Sequence, residues 1–310
     1  MLALFTIAHP LVDACSLSVL IAGGMTWQRV VAYNAMAFAL QLPMGVVADT
    51  WPGLVKGGFF LSVAMTAGAA ASAAFGVGGW CPLAMACIGN ALFHLTAGKD
   101  VLDSHGGRGG PVGLFISTGA LGLLAGRLGM ERCAAAALPG FAIALATVAA
   151  VAVARWKGNA VCLEDDSKHP GSSGRFAPPS AFPILELAAL TGLFVLVAWR
   201  SWAGLAAGRI SAGQGMALLL TGAAVTWAGK ALGGYLAERL GRGAVTAASV
   251  CGSAALAFLC PPGNAAAWMA LLFVAQLATG PVLSLLYDQT GCRGGMAFGL
   301  NCLGLFAGSL

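Results

Sequence analysis

Residues 234–242 read GYLAERLGR, and the setting of this stretch decides the fold. Glu238, Arg239 and Arg242 put three charges into nine positions, in a chain where only 9% of residues are charged. Apolar runs near 214–237 and 244–261 flank it on either side. A bilayer crossing needs roughly 20 mostly apolar residues, so a short charged turn between two such runs reads as a membrane-surface hairpin. A soluble domain carries about 25% charged residues because its exterior faces water. This chain, 59% hydrophobic over 310 residues, cannot solvate its own surface. Its net charge of +5 is spread thinly and forms no basic stripe, which excludes a nucleic-acid binder. The hydrophobicity excludes a disordered chain.

Working outward, spans are predicted near 2–24, 30–48, 58–78, 82–98, 111–129 and 134–154, and again near 183–207, 214–237, 244–261, 265–286 and 295–310. The amino terminus lacks a basic leader and carries His9 and Asp13, so it reads as a first span and not a secretory signal. One long polar stretch, rich in Gly, Ser, Pro and charge, divides the chain. The expected organisation is a six-helix bundle over 1–154, a cytoplasmic linker over 155–182, and a bundle of five helices over 183–310. Lys56, Lys99, Arg108, Arg155, Lys157, Lys168, Arg175, Arg239, Arg242 and Arg293 fall in the loops on one side. Arg29, Arg127, Arg132, Arg200 and Arg209 fall towards the other. The imbalance puts the amino terminus and the linker in the cytoplasm of a multi-pass inner-membrane protein. The cysteines form no CxxC pair and no His/Cys cluster, so neither a zinc site nor a disulfide framework is expected.

The two halves echo each other at a spacing of about 185–190 residues, as in the parallel repeats of secondary transporters. Gly45-x-x-x-Asp49 closes the second span as Gly234-x-x-x-Glu238 closes the eighth. Arg108-Gly109-Gly110 precedes the fifth span as Arg293-Gly294-Gly295 precedes the eleventh. The stretch Gly234 to Arg242 resembles the major facilitator signature Gly-x-x-x-Asp/Glu-Arg-x-Gly-Arg/Lys. In the first-half copy Thr50 stands in place of the arginine and Pro52-Gly53 follow. His9-Pro-Leu-Val-Asp13 and Phe93-His94 resemble motifs of the fosmidomycin-resistance-like branch, whose pattern continues Pro-Glu where this chain has Leu95-Thr96. The resemblance implies an all-α, two-bundle integral membrane fold of twelve helices. The chain supplies eleven and so reads as one lacking the twelfth. It also implies gating by Gly45, Asp49, Gly234, Glu238, Arg239, Gly241 and Arg242, where glycines allow close helix contact and charges pair at helix ends.

Ionisable side chains inside a span are costly and therefore functional candidates. His9 and Asp13 lie four apart on one helical face. Asp13 either takes and releases a coupling proton, tuned by His9, or merely bonds a neighbouring helix. Asn90 and His94 repeat that spacing and either contact substrate or join helices. Arg200 interrupts FVLVAWRSWAG between Trp199 and Trp202, and either attracts a polar or anionic substrate or snorkels to the interface. Gln41 and Gln276 are further candidates for the cavity lining. Lys230 reads as a snorkelling residue.

These features point to a secondary active transporter of a small organic solute, proton-coupled, with efflux favoured over uptake symport. A non-transporting scaffold or sensor is the third possibility. No nucleophile–base set suggests an enzyme, and no cofactor is implied. His9, Asp13 and His94 could join a metal site, but two helices offer too few ligands. The expected partners are the solute, protons and the lipid bilayer, with the chain acting as a monomer.

Overall fold

Inside a bilayer every backbone N–H and C=O must bond within the protein, and the apolar runs satisfy that requirement as helices. The computed structural model describes residues 1–51, 53–160, 184–211, 215–259, 261 and 264–310. The first half comprises α1 (Leu2–Ala22), α2 (Trp27–Asn34), α3 (Gln41–Thr50), α4 (Gly53–Ala74), α5 (Cys81–Ser104), α6 (Gly109–Ser117) and α7 (Gly119–Ala160). The second comprises α8 (Ile184–Ser211), α9 (Met216–Leu240), α10 (Arg242–Leu259), α11 (Ala265–Leu277), α12 (Thr279–Gln289) and α13 (Gly294–Ala307). A π-helical turn, Ala35–Ala39, joins α2 to α3 within a single crossing.

Nine stretches among the described residues are long and apolar enough to cross a membrane. The longest, Gly109–Ala154, holds two crossings. At Cys133 the backbone leaves the helical region (φ −157°, ψ 72°), and Gly129 comes to lie against Ala137 and Phe141 as the chain folds back. With that second crossing and the shorter Gly294–Ala307, the described residues reproduce the expected all-α arrangement of eleven segments.

Several boundaries differ from hydropathy. The third crossing starts at Gly53, about five residues earlier than expected, so Lys56 lies on a helix and not in a loop. Helix α5 continues through Lys99 to Ser104, because Lys99 bonds Asp49 and Asp103 at 2.7 Å each and so enters the helix neutralised. The first residues of the expected linker, 155–160, are helical. Helix α7 runs to Ala160, and 161–183 lie outside the described residues.

The packing explains the glycine content. Helix α1 lies on α7, α4 on α5, α6 on α9 and α3 on α13, the last two contacts joining the halves. Along α7, Gly119 faces Asp13 and His9, Gly122 faces the backbone of Pro10, and Gly126 faces that of Ala14. Helices in lipid associate through such small-residue contacts. A side chain at Gly122 would collide with Pro10 backbone atoms, and overpacking of this kind costs about 1–3 kcal/mol. Gly122→Val is therefore expected to lower the thermal unfolding midpoint of the purified protein, followed by tryptophan fluorescence. An unchanged midpoint would contradict the contact.

Candidate functional site

Near the middle of α1, the i, i+4 spacing of His9 and Asp13 turns both towards α5, which supplies Asn90 and His94 at the same spacing. The imidazole Nε2 atoms of His9 and His94 meet at 2.8 Å. The Asp13 carboxylate lies 3.3 Å from the first and 3.4 Å from the second. Asn90 donates to Asp13 at 3.1 Å, with the Ser16 hydroxyl 3.5 Å from the same amide nitrogen. All four residues come together, although Asn90 and His94 read in the sequence as substrate contacts and Asp13 and His9 as proton carriers.

The tautomers follow from the partners. His9 Nδ1 lies 2.8 Å from the Phe115 carbonyl and His94 Nδ1 lies 2.9 Å from the Asn90 carbonyl. A carbonyl only accepts, so each Nδ1 carries its hydrogen. In two neutral rings both Nε2 atoms would then present lone pairs to each other. The 2.8 Å contact calls for one proton between them, making an N–H···N bond balanced by the carboxylate. Among the described residues this trio is also the group whose three potential metal-donor atoms lie within 4.8 Å of one another. Gly119 completes the site, because any Cβ there would press on Asp13 Oδ2 and His9 Nε2.

One end of the bundle is sealed by two matching contacts. Asp49, at the end of α3, accepts from the backbone N–H of Gly295 at 2.8 Å and of Met296 at 2.7 Å. Glu238, at the end of α9, accepts from the N–H of Gly110 at 3.0 Å and from Arg108 at 3.1 Å. Each carboxylate caps a helix of the opposite half, satisfying orphan donors at the positive end of its dipole. Neither α6 nor α13 receives a side-chain cap from its own preceding residue. Glycines admit the approach: Gly45 abuts the carbonyl of Gly295, and Gly234 abuts Gly109 and Gly113. The remaining sequence candidates do other work. Gly241, with φ +94°, makes the turn between α9 and α10. Arg242 pairs with Asp288, and Arg239 stacks over Tyr235 at 4.7 Å. Sequence reasoning missed Arg108, Lys99, Asp103 and Asp288 as partners in these contacts. The doubled Arg-Gly-Gly was the signal, since it stood at the spacing of the Gly-x-x-x-acid pair.

The other end is open. A cavity of 530 Å³ enters between α1, α7, α8, α9 and α11, with Gln276 and Lys230 among its lining. Arg127 and Glu131, paired at 2.7 Å, also line it. Arg200 and Gln41 do not line it. Arg200 is buried, with one guanidinium nitrogen 3.3 Å from Asn301 and the other without a partner. Gln41 donates at 2.6 Å to Ala37 in the π turn, leaving its carbonyl oxygen unpartnered.

No family model matches the chain, and no curated protein matches it in sequence. Solved structures do match in shape. A crystal structure of the E. coli fucose:proton symporter FucP superposes with a TM-score of 0.64 at 14% identity, over 99% of this chain and 87% of the other. FucP in the outward conformation gives 0.65 at 12%, over 99% and 89%. A bacterial homologue of the iron transporter ferroportin, in an outward-facing state, gives 0.53 at 17%, over 99% and 89%. The chain shares the all-α fold of these transporters, of which FucP is a Major Facilitator Superfamily member.

Hydrogen bonds to charged groups contribute about 1.5–3 kcal/mol each. Asp49→Ala is therefore expected to speed amide exchange at Gly295 and Met296 by roughly tenfold or more, read by hydrogen–deuterium exchange with mass spectrometry. Unaltered protection of the α13 amino terminus would show that Asp49 does not hold it.

Proposed function

We propose that this protein is a secondary active transporter that moves a small organic solute across the cytoplasmic membrane by alternating access, coupled to protons. The observation carrying the reading is the His9–His94 contact of 2.8 Å beside Asp13, a buried set of groups whose geometry calls for one proton. Loss of that proton leaves two lone pairs and a carboxylate in contact, so proton loading and helix position are tied together. Asp13 and His9 carry the proton. Asn90 and His94 link it to the solute, which Gln276 contacts from the second half. Arg200 and Gln41 are polar members of the same inner layer, each with an unpartnered atom.

The two halves, 1–160 and 184–310, are the moving units, each chain working as a monomer. The sealed end faces the cytoplasm by the Lys and Arg distribution, which also places the amino terminus there. Gly45, Asp49, Gly234 and Glu238 form the gate that must part for inward opening. Gly241, Arg239 and Arg242 shape its rim. In this reading the protein performs no covalent chemistry and holds no cofactor. Efflux is the direction assigned, on the resemblance of His9-Pro-Leu-Val-Asp13 and Phe93-His94 to the fosmidomycin-resistance-like motifs. Symport is the second reading, favoured by the likeness to a fucose:proton symporter.

Proteoliposomes loaded with a pH-sensitive dye test both. The wild type is expected to give solute-dependent proton movement with members of a panel of small organic solutes. The sign of that movement separates exchange from symport. Asp13→Asn is expected to lower the proton signal at least tenfold while solute counterflow persists. Absence of any solute-dependent proton movement in the wild type, or an unchanged signal in Asp13→Asn, would overturn the assignment.

A further inference from the structure

Lys230 lies on α9 about 21 Å below Met216 and about 12 Å above Glu238, at 1.5 Å per residue. It is half-buried and lines the open cavity. Among the described residues it makes no hydrogen bond or ion pair. Its electrostatic neighbours are Arg200, which is positive, and Asp13. Asp13 is already engaged by Asn90 and by the two histidines, and with the proton those rings share the cluster is neutral. The second half offers no compensation at this depth. The acids among its described residues are Glu186, Glu238 and Asp288, all at helix ends on the sealed side. The inner half of the cavity therefore presents Lys230 with no free carboxylate among the described residues at its depth, and Arg200, buried outside the lining, adds a second positive charge nearby.

An ammonium without a paired carboxylate in a cavity with low-dielectric walls concentrates anions. The walls above it are apolar, including Leu17, Leu123, Leu218, Leu219 and Leu272. The volume of 530 Å³ lies within the range of small-molecule sites, roughly 300–1,000 Å³. We infer that the cavity binds an amphiphilic organic anion, with its acidic group on Lys230, its polar flank on Gln276 and its apolar body against the leucine walls. This rests on reading the cavity as the solute site of a transporter, and it names the substrate class.

The probe is 2-naphthoate, compared with its neutral isostere 2-naphthamide, titrated calorimetrically into protein in phosphatidylcholine nanodiscs, which carry no net charge. The expected result is at least tenfold tighter binding of naphthoate. That preference should be lost in Lys230→Gln and retained in Lys230→Arg. A measurement on the wild type avoids dependence on the variant's folding: naphthoate, and not naphthamide, should protect Lys230 from an amine-acylating reagent, read by mass spectrometry. Equal affinity for the two probes, an undiminished preference in Lys230→Gln, or equal protection by both would overturn the inference. Anion-selective binding without proton flux would leave this site standing and remove the transporter reading. Flux without anion preference would do the reverse.

Discussion

Helices surrounded by lipid gain nothing from burying apolar surface against one another, and that constraint shapes everything else in this molecule. The two halves can be held together only where backbones approach closely or where polar groups meet. Both devices occur at the same place. Gly45 against Gly295, and Gly234 against Gly109 and Gly113, bring the backbones into contact. Asp49 and Glu238 then reach across to the exposed amides that such contact uncovers. The contacts concentrate at one end, and the other end stays open as a cavity with few cross-half attachments.

The same constraint governs the interior. A carboxylate at mid-depth survives only if its charge is answered, and Asp13 is answered by an amide and two imidazoles from α1 and α5. Gly119 on α7 leaves the room they need. The His–Asp cluster thus belongs wholly to the first half, whereas Lys230 and Arg200 belong to the second.

Much of this was legible in the sequence because duplication writes itself twice. The Gly-x-x-x-acid pairs and the Arg-Gly-Gly pairs share a spacing, and the structure shows that each acid docks on the glycines of the opposite half. The intramembrane His9, Asp13, Asn90 and His94 were conspicuous for their residue type alone. What hydropathy could not give was the partnership between them, since i, i+4 spacing reports a shared face but not the helix opposite. It misplaced the end of α5 because Lys99 is neutralised by Asp49, far away in sequence, and by Asp103. It treated Lys230 as an interfacial anchor because a snorkelling lysine and a cavity-floor lysine have identical local text.

The two caps at the sealed end are related by the repeat but not equal in setting. The Asp49 side chain is 7% exposed and its partner Lys99 13%, whereas Glu238 is 26% exposed and Arg108 65%. Mobile ions screen exposed charges far more than buried ones. Dissolved salt therefore weakens the Glu238–Arg108 cap more than the Asp49–Lys99 one, giving a duplicated fold a lopsided sensitivity to its surroundings.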